Sequence, residues 1–306
     1  MIKDILDAYE AKDLMRLKSL VKPSKREQDT TLEFRSVLML SAHNIKHLQK
    51  IPDLSADAVM LNLEDGVAKE QKPFALLLCA YFLSKYQKID KKLIVRVNAL
   101  DEGGIDEIKY LNHFMPDAIR VPKICSKDDV EMVLDVLDDS IELHLSIETK
   151  EAWLNLKELS YGGRVKAFYL GILDLFADMK ISQGLINRDN MLIKHILCEF
   201  FLTSKALGVK PVSFVFQEFR DIESFKEWLK IEKEIGYNAK GCISPKQSEI
   251  VNSFFTPSDD ELQRAKKIVE LFEKNQKNSI SGFTDEKYGF IDEPIYKGAL
   301  AILGYH

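Results

Sequence analysis

The chain has 306 residues, a length at which α/β barrels commonly remain a single domain. Its 43 basic and 48 acidic residues give a formal net charge of -5 and are spread along the sequence, so it lacks the continuous positive face that binds a phosphate backbone. Composition therefore argues against a nucleic-acid partner, and no apolar run approaches the roughly 18 residues of a membrane span.

Residues 1–34 are predicted to form an N-terminal helical arm and a linker. Apolar residues recur at three- and four-residue spacings in residues 1–21, which indicates one or two short amphipathic helices. The polar segment KPSKREQDTT contains a proline and is typical of a linker. Charges interrupt the first residues where a signal peptide needs an apolar core, so we expect a cytoplasmic protein that does not associate with membranes.

Short β-branched runs alternate with helical stretches between residues 35 and 275. The predicted strands are 36–40, 58–63, 93–98, 118–122, 143–148, 167–170, 212–216 and 239–243. Runs this apolar, each followed by a helix, indicate a parallel sheet covered by helices, and eight such units predict a (β/α)8 TIM barrel over residues 35–275. No GxGxxG or GxxxxGK[ST] motif follows a strand, which disfavours dinucleotide and P-loop chemistry.

Beyond the eighth strand, a helix is predicted at 261–274, with Ser258 or Asp259 as its N-cap. Residues 276–306 form a C-terminal extension with a polar segment and a last apolar helix at 295–303. This extension is free to cover the mouth of the barrel or the active site of a neighbouring subunit.

Polar residues follow most of the predicted strands, at the rim where the working residues of a TIM barrel lie. They are Glu64, Asp65, Arg96, Asn98, Lys123, Glu148, Asp174, Arg220, Asp221 and Ser244. Carboxylates after neighbouring strands five and six, Glu148 and Asp174, suit Mg²⁺, which takes one or two carboxylates together with water and substrate oxygen. A zinc site is disfavoured because the six histidines include no HExxH motif, and His43 and His47 lack a third partner in sequence.

Several of these residues have a structural alternative. Arg96 lies inside the apolar VRVN run, where burial is costly without a function; we expect it to bind a carboxylate or an enolate, and the alternative is an ion pair for stability alone. Glu64 and Asp65 could instead cap the following helix. Lys123 could bind a phosphate or neutralise an acidic mouth, and Glu148 and Asp174 could form only salt bridges.

A series of motifs in a fixed order resembles the citrate lyase β-subunit group of the HpcH/HpaI aldolase superfamily. The motifs are RSVLMLSAHN, DAVMLNLEDGVAKEQK, VRVN, AIRVPK, LSIET, LGILDL, FRD, CISPKQ, EIVNSFFTPSDDE and GFIDEP, spanning residues 35–303. This resemblance implies a Mg²⁺-dependent barrel, often a homotrimer, that cleaves or forms a carbon-carbon bond beside a carbonyl. The substrate in such proteins is often a coenzyme A thioester such as citryl-, malyl- or citramalyl-CoA.

The resemblance also implies roles for single residues. Glu148 of IET and Asp174 of GILDL match the two metal-binding carboxylates of the family. Arg96 of VRVN matches the arginine that grips the keto acid, and Lys123 is expected to help bind the substrate.

Three further acidic residues match positions near the reaction. Glu64 and Asp65 of LEDGV match an acidic pair near the metal-bound waters of the family. Asp292 of GFIDEP matches an aspartate that enters the active site from an adjacent subunit, where it would protonate the enolate carbon. A homo-oligomer is therefore expected.

The chain also departs from the family at its loops. Ser41 and Ala42 stand where members usually have proline and glycine, Ser244 stands where they have histidine, and TDEKYGFIDEP lacks the usual DGKM pattern. These changes weaken the expectation of a thioester more than that of a metal. Two alternatives therefore stand: a metal-dependent aldolase acting on a free pyruvate-derived hydroxy-keto acid, and a catalytically inactive barrel that binds a partner.

Overall fold

The computed structural model describes residues 2–28, 32–277 and 280–304. The chain divides into two compact units, Met1–Ser253 and Phe254–His306. The first unit contains the N-terminal helices and all the parallel strands, and the second contains an antiparallel hairpin between helices.

The strands of the barrel are β1 (Ser36–Ser41), β2 (Ala58–Asn62), β3 (Lys92–Arg96), β4 (Ala118–Val121), β5 (Glu142–Ile147), β6 (Val165–Leu170), β7 (Lys210–Val212) and β8 (Lys240–Cys242). The helices of this part of the chain are α1 (Ile2–Glu10), α2 (Leu14–Leu20), α3 (Ile45–Leu48), α4 (Lys72–Lys85), α5 (Gly104–Leu111), α6 (Lys127–Leu134), α7 (Lys150–Leu154), α8 (Ile172–Asp178), α9 (Met191–Ala206), α10 (Ile222–Ile235) and α11 (Pro245–Phe255). The C-terminal elements are α12 (Asp259–Gln276), β9 (Gly282–Asp285), β10 (Gly289–Asp292) and α13 (Glu293–Ile302).

The parallel strands form a barrel in sequence order, with β1 paired to both β2 and β8. Closure between β7 and β8 depends on Ser213, whose N–H donates to the Ala239 carbonyl at 3.0 Å and whose carbonyl accepts from Gly241 N–H at 3.2 Å. The predicted (β/α)8 TIM barrel is confirmed. Inward-facing apolar side chains fill its centre, and they are Val37, Ala58, Met60, Ile94, Ala118, Ala167, Val212 and Ala239. Four of these eight residues are alanines.

Each of the eight strands lies near its predicted position, and the seventh differs most. It was predicted at 212–216 but is observed at Lys210–Val212. After Val212 the chain leaves the regular ladder, and Ser213 keeps only an isolated bridge to Lys240. The apolar run that suggested a longer strand instead places aromatic residues against helix α10, where Phe214 packs edge-on against Trp228 with ring centroids 5.1 Å apart.

The N-terminal residues belong to the same unit as the barrel and are tied to it by a buried ion pair. Arg26 lies 2.6 Å from Asp117, which precedes β4, and also donates to the Tyr86 carbonyl at 2.9 Å. Ile5 and Leu17 are fully buried. The segment therefore packs as part of the barrel's outer layer.

The second unit has its own small core. Ser258 caps α12 with a reciprocal capping box to Glu261, as the sequence predicted for this position. Phe272 stacks on Tyr296 at 4.5 Å between ring centroids. The hairpin β9–β10 was missed because its four-residue strands show no apolar alternation; its turn is held by Asp285, which accepts two backbone N–H groups.

Over the described residues, no helix is long and apolar enough to cross a membrane.

A buried ion pair supports the closing seam of the barrel. Lys240 of β8 and Glu232 of α10 are both fully buried and in contact, and Ser213 donates to the same carboxylate oxygen at 2.6 Å. Lys240 also donates to the Phe214 carbonyl at 2.8 Å. The buried charges of Lys240 and Glu232 therefore depend on each other, and removing one of them leaves the other buried without its partner.

We expect Glu232→Ala to destabilise the fold by about 3–5 kcal/mol, because it leaves the Lys240 ammonium buried without its carboxylate. The midpoint of urea unfolding measures this loss. The matched control is Glu227→Ala on the same helix, which removes a solvent-exposed pair with Lys230 and should change the midpoint little. Equal effects of the two substitutions would contradict the argument.

Candidate active site

A cavity of about 220 Å³ lies at the C-terminal ends of the barrel strands. Its charged lining consists of Asp65, Arg96, Arg120, Glu148 and Asp174. Asp65 and Glu148 follow β2 and β5, Arg96 ends β3, Arg120 lies within β4, and Asp174 is in the first turn of α8. The structure therefore brings together four of the predicted site residues and adds Arg120, which the sequence analysis did not select. Parallel strands explain the convergence, since their carboxyl ends share one rim.

Arg96 is the last residue of β3 and points into the barrel. Its side chain is 7% exposed, yet it lies among carboxylates from both sides. The guanidinium contacts Glu64, and it lies 3.5 Å from Asp65 and 3.6 Å from Glu148. Arg96 thus makes the ion pairs of the structural alternative and also lines the cavity.

Glu64 is buried beneath this arrangement. Neither of its carboxylate oxygens has a hydrogen bond within the described chain, although Arg96 and Lys123 Nζ, at 3.6 Å from Oε1, lie within ion-pair distance. Burial raises the pKa of Glu64, Arg96 opposes this rise, and the carboxylate of Glu148 adds to it. Arg96 is therefore the main group that acts against the rise in the pKa of this buried acid.

The loop after β2 keeps Glu64 and Asp65 at the rim. Asn62 donates from its amide to the Asp65 carbonyl and accepts from Glu64 N–H at 3.3 Å. Helix α4 begins only at Lys72, with Gln71 as its N-cap residue, so neither acid caps it. The helix-capping alternative is wrong.

Glu148 follows β5 and is fixed by two features of its surroundings. Lys123 N–H donates to Glu148 Oε1 at 3.0 Å, and Lys123 adopts a left-handed φ of 54°, a conformation that costs energy in a non-glycine residue. Gly171 supplies clearance on the other side, because a Cβ there would lie 2.6 Å from Glu148 Cβ. The carboxylate is thereby aimed into the cavity.

Of the remaining predicted residues, Asp174 lines the same cavity, whereas Asp292, Asp221 and Ser244 accept backbone N–H groups at helix starts. Asp174 is exposed on the first turn of α8 and lines the cavity. Asp292 belongs to the second unit, where it caps α13 by accepting from Ile295 N–H at 3.2 Å; its catalytic role stays a prediction. Asp221 caps α10, and Ser244 accepts from Gln247 N–H at the start of α11.

The donor set fits a hard divalent cation. Glu148 and Asp174 line one cavity, and both carry carboxylate oxygens of the kind that a hard cation prefers. Within the described ranges no group of three His, Cys, Asp or Glu side chains forms a ready-made metal cage. Two carboxylates with open positions suit Mg²⁺, which usually keeps waters and substrate oxygens, better than they suit zinc.

Two contributors to the site escaped the sequence analysis. Arg120 alternates with Ala118 inside the buried run AIRV, so the argument that singled out Arg96 within its own strand applies equally to it. The clearance at Gly171 had no comparable signal, because Gly171 and Glu148 directly follow the neighbouring strands β6 and β5, whose register the sequence does not state.

The fold and this cavity define a (β/α)8-barrel protein with a carboxylate–arginine site at its C-terminal rim. The chain belongs to the HpcH/HpaI aldolase/citrate lyase family, whose model matches residues 35–245. The family expected from the motifs is confirmed.

Relatives in this family act on coenzyme A esters. The chain is 30% identical over 246 residues to a (3S)-malyl-CoA thioesterase of Cereibacter sphaeroides, covering 80% of this chain and 85% of that protein. It is 26% identical over 291 residues to the mitochondrial citramalyl-CoA lyase of Rattus norvegicus, covering 88% and 85%.

Solved structures share the fold. The protein CitE of Mycobacterium tuberculosis, in complex with magnesium, acetoacetate and coenzyme A, matches with a TM-score of 0.68 and 22% identity over 90% of this chain and 98% of that one. A citrate lyase of Burkholderia xenovorans LB400 matches with a TM-score of 0.74 and 20% identity, covering 89% and 91%.

We expect Gly171→Ala to displace the Glu148 side chain, because the added methyl group would overlap Glu148 Cβ. Isothermal titration with Mg²⁺ should then show affinity at least about tenfold weaker, in line with the loss of a well-positioned ligand. Gly184→Ala is the control, since its Cβ would meet only Ser182 Oγ at an ordinary 3.5 Å. Unchanged Mg²⁺ affinity in Gly171→Ala would contradict this account.

Proposed function

We propose that the protein is a Mg²⁺-dependent carbon-carbon lyase that cleaves, or forms, a short β-hydroxyacyl-CoA. The observation that carries this proposal is the shared cavity of Arg96, Glu148 and Asp174 at the barrel rim. Relatives described as citramalyl-CoA lyase and citrate lyase subunit beta support it, as does the magnesium and coenzyme A complex of CitE.

Glu148 and Asp174 would hold the cation, since both present oxygens to the cavity. When bound there, Mg²⁺ supplies Lewis-acid polarisation of a substrate oxygen and neutralises developing negative charge. The chain's own part is to aim the carboxylate, which the Lys123 N–H and the clearance at Gly171 do for Glu148.

Arg96 binds the carboxylate of the half that leaves as a keto acid. Its fork suits a planar carboxylate, and its contact with Glu64 pre-orients it before substrate arrives. Lys123 adds a second positive charge at the rim: burial acts to lower its pKa, but Glu64 and neighbouring carboxylates raise the pKa overall and keep it charged.

Cleavage requires one proton to leave and another to arrive. Asp65 lines the cavity beside Arg96 and accepts the proton of the substrate hydroxyl as the carbon-carbon bond breaks. The electron pair of that bond moves into the thioester half as an enolate. Asp292, supplied by a neighbouring subunit, protonates the enolate carbon.

Support for a coenzyme A ester as the substrate comes from the relatives. The chain's own loop residues Ser41, Ala42 and Ser244 depart from the family pattern and do not add to that support. A free pyruvate-derived hydroxy-keto acid needs the same metal and arginine without the nucleotide. Hydrolysis of the thioester is a further candidate, favoured by the 30% identity to a (3S)-malyl-CoA thioesterase. The products distinguish these reactions, since only hydrolysis releases free coenzyme A thiol.

A panel of citryl-, malyl- and citramalyl-CoA, incubated with the protein and Mg²⁺, should yield keto acid without free thiol. Glu148→Gln should lower this rate at least about 100-fold, because a metal contributes several kcal/mol to the transition state. The control is Glu151→Gln, an exposed acid on α7 only three residues away.

Three outcomes would contradict the proposal that the protein is a lyase. Free thiol in place of keto acid would indicate a thioesterase, and cleavage of the free hydroxy-keto acid alone would indicate an aldolase. Absence of Mg²⁺ binding, together with no turnover of any ester, would indicate an inactive barrel that serves as a binding partner.

We also propose that the protein is a homotrimer whose active sites take Asp292 from a neighbouring subunit. The match of GFIDEP to the family motif supports this arrangement. The cytoplasmic location expected from the sequence stays a prediction that cell fractionation tests.

Mixing two inactive variants tests the shared site. Arg96→Met and Asp292→Asn should each be inactive alone, whereas subunits unfolded together and refolded as mixed oligomers should regain activity at about a quarter of the sites, where both intact residues meet. Refolded Arg96→Met alone is the control. No recovery in the mixture would place both residues in one subunit or exclude Asp292 from the reaction.

A further inference from the structure

Arg120 is a buried cation inside the barrel. It is the third residue of β4, in register with Arg96 on β3 and His144 on β5, and only 9% of its surface is exposed. Its Nε donates to Ser146 Oγ at 2.9 Å, and its guanidinium lies 4.3 Å from the centre of the Tyr169 ring. One edge of the guanidinium is therefore bonded to the Ser146 hydroxyl, and one face lies on the Tyr169 ring; both of these groups are neutral.

The protein supplies no direct counter-charge to this guanidinium. Among residues 2–28, 32–277 and 280–304, no carboxylate lies within 4.0 Å of it, and its Nη1 donates to Met60 Sδ at 3.5 Å. Arg96, its neighbour, contacts Glu64 instead. Burial and the charge of Arg96 lower the pKa of Arg120 to about 10, which still leaves it positive at neutral pH. Glu148 and Glu64 act on Arg120 only from beyond contact distance, and a buried cation without a direct carboxylate partner is costly, so its surroundings suit an anionic ligand.

The acid on the far side of Tyr169 is already engaged. Tyr169 OH lies 3.2 Å from His144 Nδ1, and His144 Nε2 lies 3.2 Å from Glu142. Glu142 also pairs with Lys92 at 2.7 Å. This chain of contacts holds the Tyr169 ring in place under Arg120 and leaves the guanidinium's charge unmatched.

The free side of Arg120 faces the candidate active site. It lines the 220 Å³ cavity together with Arg96, Glu148 and Asp174, and it also borders a smaller cavity deeper in the barrel that Met39 helps to line. An anion on Arg120 would therefore lie inside the barrel, beside the group bound by Arg96.

We propose that Arg120 is a specificity-determining residue that binds a second carboxylate on the keto-acid half of the substrate. The substrate would then be one whose cleavage releases a keto dicarboxylate, and not a keto monocarboxylate such as pyruvate or glyoxylate. This inference rests on the proposed function and deepens it. The inference rests on the guanidinium groups of Arg96 and Arg120, which lie on adjacent strands. Only that of Arg96 contacts a carboxylate of the protein.

Two stable acids that differ by one carboxylate test the proposal. L-Malate and L-lactate share the 2-hydroxy acid group, and malate adds a carboxylate on the neighbouring carbon. Calorimetric titration in the presence of Mg²⁺ should show malate binding roughly 10- to 100-fold more tightly than lactate, the range expected for a charge-assisted bidentate contact.

In Arg120→Met this preference should fall to within about threefold, with the loss confined to malate. Arg120→Lys keeps a positive charge without the fork and should show an intermediate preference. Binding of lactate by both variants shows that the site is folded, and an intact thermal transition provides a second check.

Different results separate the two levels of the proposal. Equal weakening of malate and lactate would mean that Arg120 shares the first carboxylate with Arg96, which overturns the inference. Release of pyruvate or glyoxylate as the preferred product by the wild-type protein would also overturn it while leaving the lyase standing. Failure of both acids to bind, with no ester cleaved, would remove the proposed function as well.

Discussion

The placement of Arg96 inside the barrel is the constraint from which the rest of the site follows. A guanidinium with 7% of its side chain exposed must be neutralised nearby, and it is matched by Glu64 from the loop after β2 and by Glu148 after β5. Both acids are themselves buried, and Arg96 acts to lower the pKa of Glu64 against the rise that burial causes. The result is a cluster that is stable only when opposite charges occupy neighbouring strand ends.

The two-residue alternation of the strands extends this polar character down into the barrel. On β5, His144 and Ser146 point inward below Glu148, and on β4 Arg120 lies between them and Arg96. Small inward residues on other strands, among them Ala58 of β2 and Ala167 of β6, leave the room that these polar side chains occupy. The interior is therefore a hydrogen-bonded support for the rim, and not only an apolar filling.

The sequence predicted the barrel because eight apolar runs alternate with helices, and it located Arg96, Glu148 and Asp174 because strand ends share one rim. Residues following strands were easier to select than residues within them, which is why Arg120 was missed. Position alone also overestimated the site: Asp221 lies at the predicted rim but caps a helix. Contacts across strands, such as the clearance at Gly171, depend on register, which a single sequence does not state.

The balance of charge explains why a cation and an anionic substrate belong together in this cavity. Arg96 is matched mainly by Glu64 and more distantly by Glu148, while Asp65, Glu148 and Asp174 line the cavity as acids and Arg120 lines it as a cation. A divalent cation alone would add positive charge beside Arg120, and a dicarboxylate alone would face Glu148. Bound together, each offsets the repulsion that the other would meet, so on the proposed assignment the two should bind with positive coupling.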